Sequence, residues 1–271
     1  MRIRQCILTK NDCYIKGTKI SKLNGIVVHS TGANNKNLKR YVQPLKTYAD
    51  YDHIIADIGK NLFGNHWNKS GVSKCVHAFI GVNAKGEVET YQTLPWDVCC
   101  WGSGSGSKGS YNYNPTARIQ FEICEDNLKD EAYFKAVMKE AQELCAWLCK
   151  KYNLSADKIC SHAEAYKAGY GTNHKDCDHW LAKFGKSMDW FRAEVQKLMS
   201  ESHFEPFKVR VDIDNLNIRT GPSITHPKTG KFTGKGVFTI VDHALGVGSV
   251  KGWGKLKSGA GWISLDYAEK I

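Results

Sequence analysis

Between residues 130 and 152 the apolar side chains Phe134, Val137, Met138, Ala141, Leu144, Cys145, Leu148 and Tyr152 recur at three- and four-residue steps. That period is the mark of a helix with one apolar stripe, and a stripe this long needs a broad apolar surface to cover it. Asp130 stands where an N-cap is wanted, and Lys135, Lys139, Glu140, Glu143 and Lys150 read as the solvated face. Strand-like stretches elsewhere can supply the cover. Gly25-Ile26-Val27-Val28 is a short apolar run set between Asn24-Gly25 and Thr31-Gly32, and along 119–123 the residues Ile119, Phe121 and Ile123 share one face while Glu122 falls on the other. The consequence is an α/β unit: a mixed central sheet flanked by helices.

With 271 residues and 42% apolar content the chain can bury one sizeable core and a small second one. No apolar run approaches the length of a membrane span, so no stable membrane insertion is expected. The helical pattern of Met188 to Met199 gives way to Ser200-Glu201-Ser202-His203 and then Pro206, which predicts a first domain over 1–200 and a linker over 201–207. Beyond it, 209–213, 216–219, 236–241, 253–256 and 261–265 are short strand-like segments separated by Gly- or Pro-bearing turns. They predict a small all-β barrel over 208–271, in which Trp253, Trp262 and Tyr267 are expected to be at least partly core. All ten cysteines lie from Cys6 to Cys177. The stretch Met1-Arg2-Ile3-Arg4-Gln5-Cys6 lacks the apolar run of a secretory signal, so synthesis in the cytoplasm is expected, with the thiols as small buried hydrophobes rather than disulfides.

His29 closes the first apolar run, where a strand end would hold its imidazole rigidly. A second cluster runs from Cys160-Ser161-His162-Ala163-Glu164 to Asn173-His174-Lys175-Asp176-Cys177-Asp178-His179. Imidazoles, carboxylates and a thiol are the donor mixture that zinc takes, with a catalytic site keeping three protein ligands and one open position. The spacing matches none of the compact zinc signatures, so the pattern by itself leaves a metal site and ordinary surface histidines both open.

Four blocks in order resemble the zinc-dependent N-acetylmuramoyl-L-alanine amidases of phage endolysins and bacterial autolysins. They are Val27-Val28-His29-Ser30-Thr31, His77-Ala78-Phe79-Ile80-Gly81, Ile119-Gln120-Phe121-Glu122-Ile123-Cys124, and Ser161-His162-Ala163-Glu164 with Asn173-His174-Lys175-Asp176. The resemblance covers about residues 20 to 200. It implies a Zn2+ ion held by His29, His162 and Asp176, with Cys177 a close rival for the third place. It implies Glu122 as the catalytic carboxylate and His174 as donor to the oxyanion. Where relatives carry a Trp-His pair in the substrate groove, this chain has Trp101-Gly102, which leaves Trp101 and His77 as the expected groove residues. The stretch 102–110, rich in Gly and Ser, is expected to be a mobile loop at the active site. Leu216-Asn217-Ile218-Arg219-Thr220-Gly221-Pro222 and Gly261-Trp262-Ile263 resemble bacterial SH3-like domains, which bind the cell wall in endolysins.

The implied function is a peptidoglycan hydrolase that cuts the amide between N-acetylmuramic acid and L-alanine and acts on the wall after release from the cell. A non-catalytic peptidoglycan-binding protein on the same fold is the alternative. The net charge of +11 calls for an anionic partner. The 38 Lys and Arg are spread along the chain with no run of five, which favours anionic wall polymers over nucleic acid.

Overall fold

The computed structural model describes residues 2–200 and 205–271. They form two compact units that part near residue 201. The expected linker falls largely on 201–204, outside the described residues.

The first unit is built on a six-stranded sheet. Its strands are β1 (Ile3–Gln5), β2 (Ile26–Ser30), β3 (Ala78–Val82), β4 (Val88–Gln92), β5 (Ile119–Ile123) and β6 (Ile159–Ser161), laid side by side in the order β1-β4-β3-β5-β2-β6. The β3–β4 pair is antiparallel and the other neighbours are parallel, so the sheet is mixed. The helices are α1 (Asp12–Lys16), α2 (Tyr51–Ile58), α3 (Glu131–Tyr152), α4 (His162–Ala168), α5 (Asp178–Lys183) and α6 (Met188–Ser200).

The 22-residue helix α3 is the stripe read from the sequence, and its cap is Asp130, whose side chain accepts from the Tyr133 amide. Phe134, Val137, Met138, Ala141, Leu144, Cys145 and Leu148 are buried against Ile26, Val28, Ala78, Ile80, Ile119, Phe121 and Ile123 of the sheet. Each Val, Leu, Ile, Phe or Met side chain among them contributes about 1.5–3 kcal/mol by leaving water. The opposite face of the sheet is covered too. Leu38, Tyr41, Val42, Ile54 and Ile58 pack there on Phe79 and Tyr91. The sequence reading missed α2, a short eight-residue helix in which Ile54 and Ile58 are the buried apolar side chains. No disulfide joins the described cysteines, and eight of the ten are buried, Cys145 and Cys149 within the α3 core.

The second unit is one antiparallel sheet. Its strands are β7 (Phe207–Val211), β8 (Asn217–Arg219), β9 (Lys228–Phe232), β10 (Gly236–Ala244), β11 (Trp253–Leu256), β12 (Trp262–Ser264) and β13 (Glu269–Lys270), ordered β13-β7-β10-β11-β12-β8-β9. Val209, Val211, Leu216, Ile218, Ile240, Leu256, Ile263 and Leu265 make its core. Trp253 is buried and Trp262 half-buried as expected, but Tyr267 is 59% exposed and corrects that expectation. Alternating aliphatic residues already fill so small an interior.

Gly25 shows how tightly β2 is held at its start. Its φ is +150°, and a Cβ there would stand 2.2 Å from the Lys158 carbonyl oxygen. Gly25→Ala should therefore destabilise the first unit by about 1–3 kcal/mol, read as a lowered denaturant midpoint; an unchanged midpoint would mean that the β2–β6 junction is looser than described.

Candidate metal centre

In the parallel pair β2–β5, Ile26 stands opposite Ile119, Val28 opposite Phe121 and His29 opposite Glu122. Alternation then sorts the side chains: Ile26, Val28, Ile119, Phe121 and Ile123 face α3, and His29, Gln120 and Glu122 face the other way. His162 is the first residue of α4. Its position is fixed by a capping box, in which the Ser161 hydroxyl accepts from the Glu164 amide and the Glu164 carboxylate accepts from the Ser161 amide. Arg192 of α6 holds Glu164 by two hydrogen bonds of 2.8 and 3.0 Å. The Ala163 amide donates to the Asp176 carbonyl, which brings the third residue alongside.

The three side chains converge. His29 Nδ1 lies 3.1 Å from His162 Nδ1 and 3.2 Å from Asp176 Oδ2, and His162 Nδ1 is 3.5 Å from the same oxygen. Donors on a tetrahedral zinc with bonds near 2.0–2.1 Å are roughly 3.3 Å apart, so this triangle has the right size.

The hydrogen bonds behind the ligands decide which ring nitrogens carry protons. The amides of Gly102 and Ser103 both donate to Asn112 Oδ1, so that atom is an oxygen, and the Gln120 group donating to it at 3.0 Å is the NH2. Gln120 therefore turns its oxygen to His29 Nε2 at 2.9 Å, which must carry the proton, leaving Nδ1 with a lone pair. The same logic applies to His162. Thr172 spends its hydroxyl proton on the Ser103 carbonyl and accepts from His162 Nε2 at 3.3 Å, so His162 Nδ1 is also bare. Two lone pairs and a carboxylate pointed at one another require a cation between them, and the residues fit a zinc ion.

Glu122 lies beside this centre. Burial, then the charges of Asp176 and Glu125, raise its pKa well above the usual value, and its Oε2 has no partner among the described residues. His174 stacks on His162 with ring centroids 4.5 Å apart and holds Nδ1 3.6 Å from Asp176 Oδ1, while its side chain is largely open to solvent.

Other expectations are corrected or settled. Cys177, the rival ligand, points away: it is fully buried in the α3 core with its sulfur 3.9 Å from that of Met188. His77 cannot reach a substrate. It is fully buried, donates from Nε2 to the Val98 carbonyl, accepts the Gln120 amide at Nδ1, and burial pushes its pKa down to about 4. It braces β5 from behind. Trp101 is half-buried and packs on Tyr113, with its backbone bridged to Cys75. Its neighbour Gly102 shows why no histidine follows it, since a Cβ there would meet Gln120 Oε1 at 2.6 Å. His179 pairs with Glu125 at 3.2 Å rather than with the ligands.

The Gly-Ser stretch is a brace rather than a mobile loop. Ser103 is fully buried, its hydroxyl donates to Gln120 Oε1 at 2.6 Å, and its carbonyl holds Thr172. Lys108 donates from its amide to the Gly169 carbonyl. Sequence reasoning missed Gln120, Thr172 and Ser103, and the one available signal was a polar Gln on the face of β5 shared with Glu122.

Gln120→Leu should lower zinc affinity by about 10- to 100-fold in a chelator competition, because it frees the His29 tautomer. Asp176→Ala should lose stoichiometric zinc while Cys177→Ala keeps it. Zinc retained at full affinity in Gln120→Leu would show that the ligand needs no orientation from behind.

Comparison with solved structures gives likenesses to Staphylococcus aureus hydrolase AmiA in complex with its ligand (19% identity, TM-score 0.49, 73% of this chain and 83% of that one) and to a mutant endolysin from Bacillus subtilis (22%, 0.47, 72% and 99%). A third is PlyL (18%, 0.45, 72% and 98%). No curated protein matches the chain. The family model described as N-acetylmuramoyl-L-alanine amidase matches residues 19–180, more than half of the sequence, and contains all three converging side chains. The chain belongs to the N-acetylmuramoyl-L-alanine amidase family.

Proposed function

We propose that this chain is a zinc-dependent peptidoglycan hydrolase that cuts the amide between N-acetylmuramic acid and L-alanine of the stem peptide. The observation that carries this reading is the triangle of His29, His162 and Asp176, with two imidazole lone pairs fixed by Gln120 and Thr172. Zinc held there supplies Lewis acidity, polarising a carbonyl and making water acidic enough to lose a proton near neutrality.

The chain's own residues do the rest. Glu122 takes a proton from the attacking water as its oxygen adds to the amide carbon, then gives the proton to the L-alanine nitrogen as the C–N bond breaks. Burial raises the Glu122 pKa, which makes its carboxylate a stronger base for that proton. His174, stacked on His162 and largely open to solvent, would donate from its ring to the carbonyl oxygen as negative charge builds. A non-catalytic binding protein would have no use for a complete donor set with an unpartnered carboxylate beside it. The β unit over 208–271 acts on this reading as an SH3-like wall-binding domain, and the basic charge favours retention on anionic wall polymers.

The test is clearance of purified Gram-positive walls with and without chelator. Zinc-restored release of N-terminal L-alanine without new reducing ends is expected. Reducing ends would mean a glycosidase, and no release from several wall types would favour the binding protein. Glu122→Gln should lower kcat by about 10²- to 10⁴-fold with zinc content unchanged. Residues 205–271 fused to a fluorescent reporter should co-sediment with the same walls, and failure to do so would remove that role from the β unit.

A further inference from the structure

We propose that a cationic groove beside the metal centre receives the third residue of the stem peptide and favours stems in which that residue carries a carboxylate, as meso-diaminopimelate does, over stems with lysine there. This rests on the amidase reading above. The groove encloses about 340 Å³ and is lined by Asn35, Lys39, Arg40, Lys60, Asn61 and Phe63 among others. That volume lies within the ordinary range for small-ligand sites, about 300–1,000 Å³.

Its place follows from the backbone. The Thr31 amide donates to Ile123, the Asn35 amide to Glu125, and the Val82 amide to Lys36, so 31–37 crosses the carboxyl ends of β2, β5 and β3 in turn. It delivers the short 3-10 turn Leu38–Arg40 beside β3. β3 is one strand from Glu122 and two from His29. At about 4.8 Å per strand the groove begins on the order of 10 Å from the metal-facing side chains. Three extended residues span about 10 Å, so a stem whose first amide lies at the metal carries its third residue here. Tyr41 supports the arrangement from below, stacked 4.9 Å from Phe79, the register partner of Glu122, with the Arg40 guanidinium 5.0 Å above its ring.

The wall of the groove is held rigid for no packing benefit. The Asn61 amide donates to Gln43 Oε1, the Asn61 side chain donates to the Lys39 carbonyl and to Asn65 Oδ1, and the Phe63 amide donates to Asn61 Oδ1. Arg40 donates to the Asn65 carbonyl. The loop so fixed leaves Leu62 79% and Phe63 87% exposed. An exposed ring suits the aliphatic stem of a peptide, and three cations set the charge. Among the described residues no carboxylate pairs with Lys39, Arg40 or Lys60. L-alanine and γ-D-glutamate are common to both stem types, which differ at the third residue by one carboxylate. That group is attracted to this wall, while a lysine stem offers only an ammonium, which is repelled.

The experiment uses full-length Glu122→Gln protein loaded with zinc and two N-acetylmuramyl tripeptides, ending in meso-diaminopimelate or L-lysine, titrated by calorimetry. Binding at least about tenfold tighter to the diaminopimelate form is expected, and Lys39→Glu with Lys60→Glu should abolish or invert that preference. Both lysines are exposed, so the double variant is expected to fold, and its thermal unfolding checks this. Equal binding of the two peptides, binding of neither, or a preference unchanged in the charge-reversed protein would overturn the proposal. Failure of the amidase reading looks different: the preference persists, but zinc-loaded wild-type protein leaves both muramyl peptides uncut.

Discussion

The parallel pairing of β2 with β5 is the constraint on which the rest of the first unit depends. Because side chains alternate, one register decides at once that Val28 and Phe121 meet α3 and that His29 and Glu122 stand together on the other face. A slip by one residue would bury the imidazole under the helix and expose the apolar set. The hydrophobic stripe of α3 therefore does more than stabilise the fold. It fixes the register that assembles the metal-facing side chains, so stability and function draw on the same pairing.

Around those side chains the protein spends polar groups with unusual completeness. Gln120, Asn112, Ser103 and Thr172 form one connected set, each member's donor or acceptor role dictated by backbone amides and carbonyls. Such a network costs stability unless fully satisfied, and here it is satisfied by committing both imidazoles to present bare Nδ1 atoms. The Gly-rich loop is part of this bracing. Its glycines allow the backbone to approach Gln120, Thr172 and Gly169 more closely than any side chain would permit. A composition that reads as flexible is used for close contact.

Much of this was legible beforehand. The period of α3, the alternation in β5 and the convergence of His29, His162 and Asp176 were readable, because local periodicity and a resemblance in four ordered blocks survive without coordinates. The choice between Asp176 and Cys177 was not, since adjacent residues share a sequence neighbourhood and only packing turns one thiol into the apolar core. His77 looked like a groove residue for the same reason. A histidine flanked by strand residues gives no sign of whether its nitrogens face substrate or backbone, and here both are taken by Val98 and Gln120.

The sequence by itself determined the elements and the chemistry available to them: a helix that must be covered, strands that can cover it, and a set of donors suited to zinc. These are properties of spacing and side-chain type, which are local. Only the tertiary structure decided the tautomers of His29 and His162, the burial of Cys177 and His77, and the place of Lys39, Arg40 and Lys60 at the end of β3. Those outcomes depend on which groups meet across long sequence separations, as Gln120 meets His29 and Thr172 meets Ser103, and no pattern within a single segment encodes such a meeting.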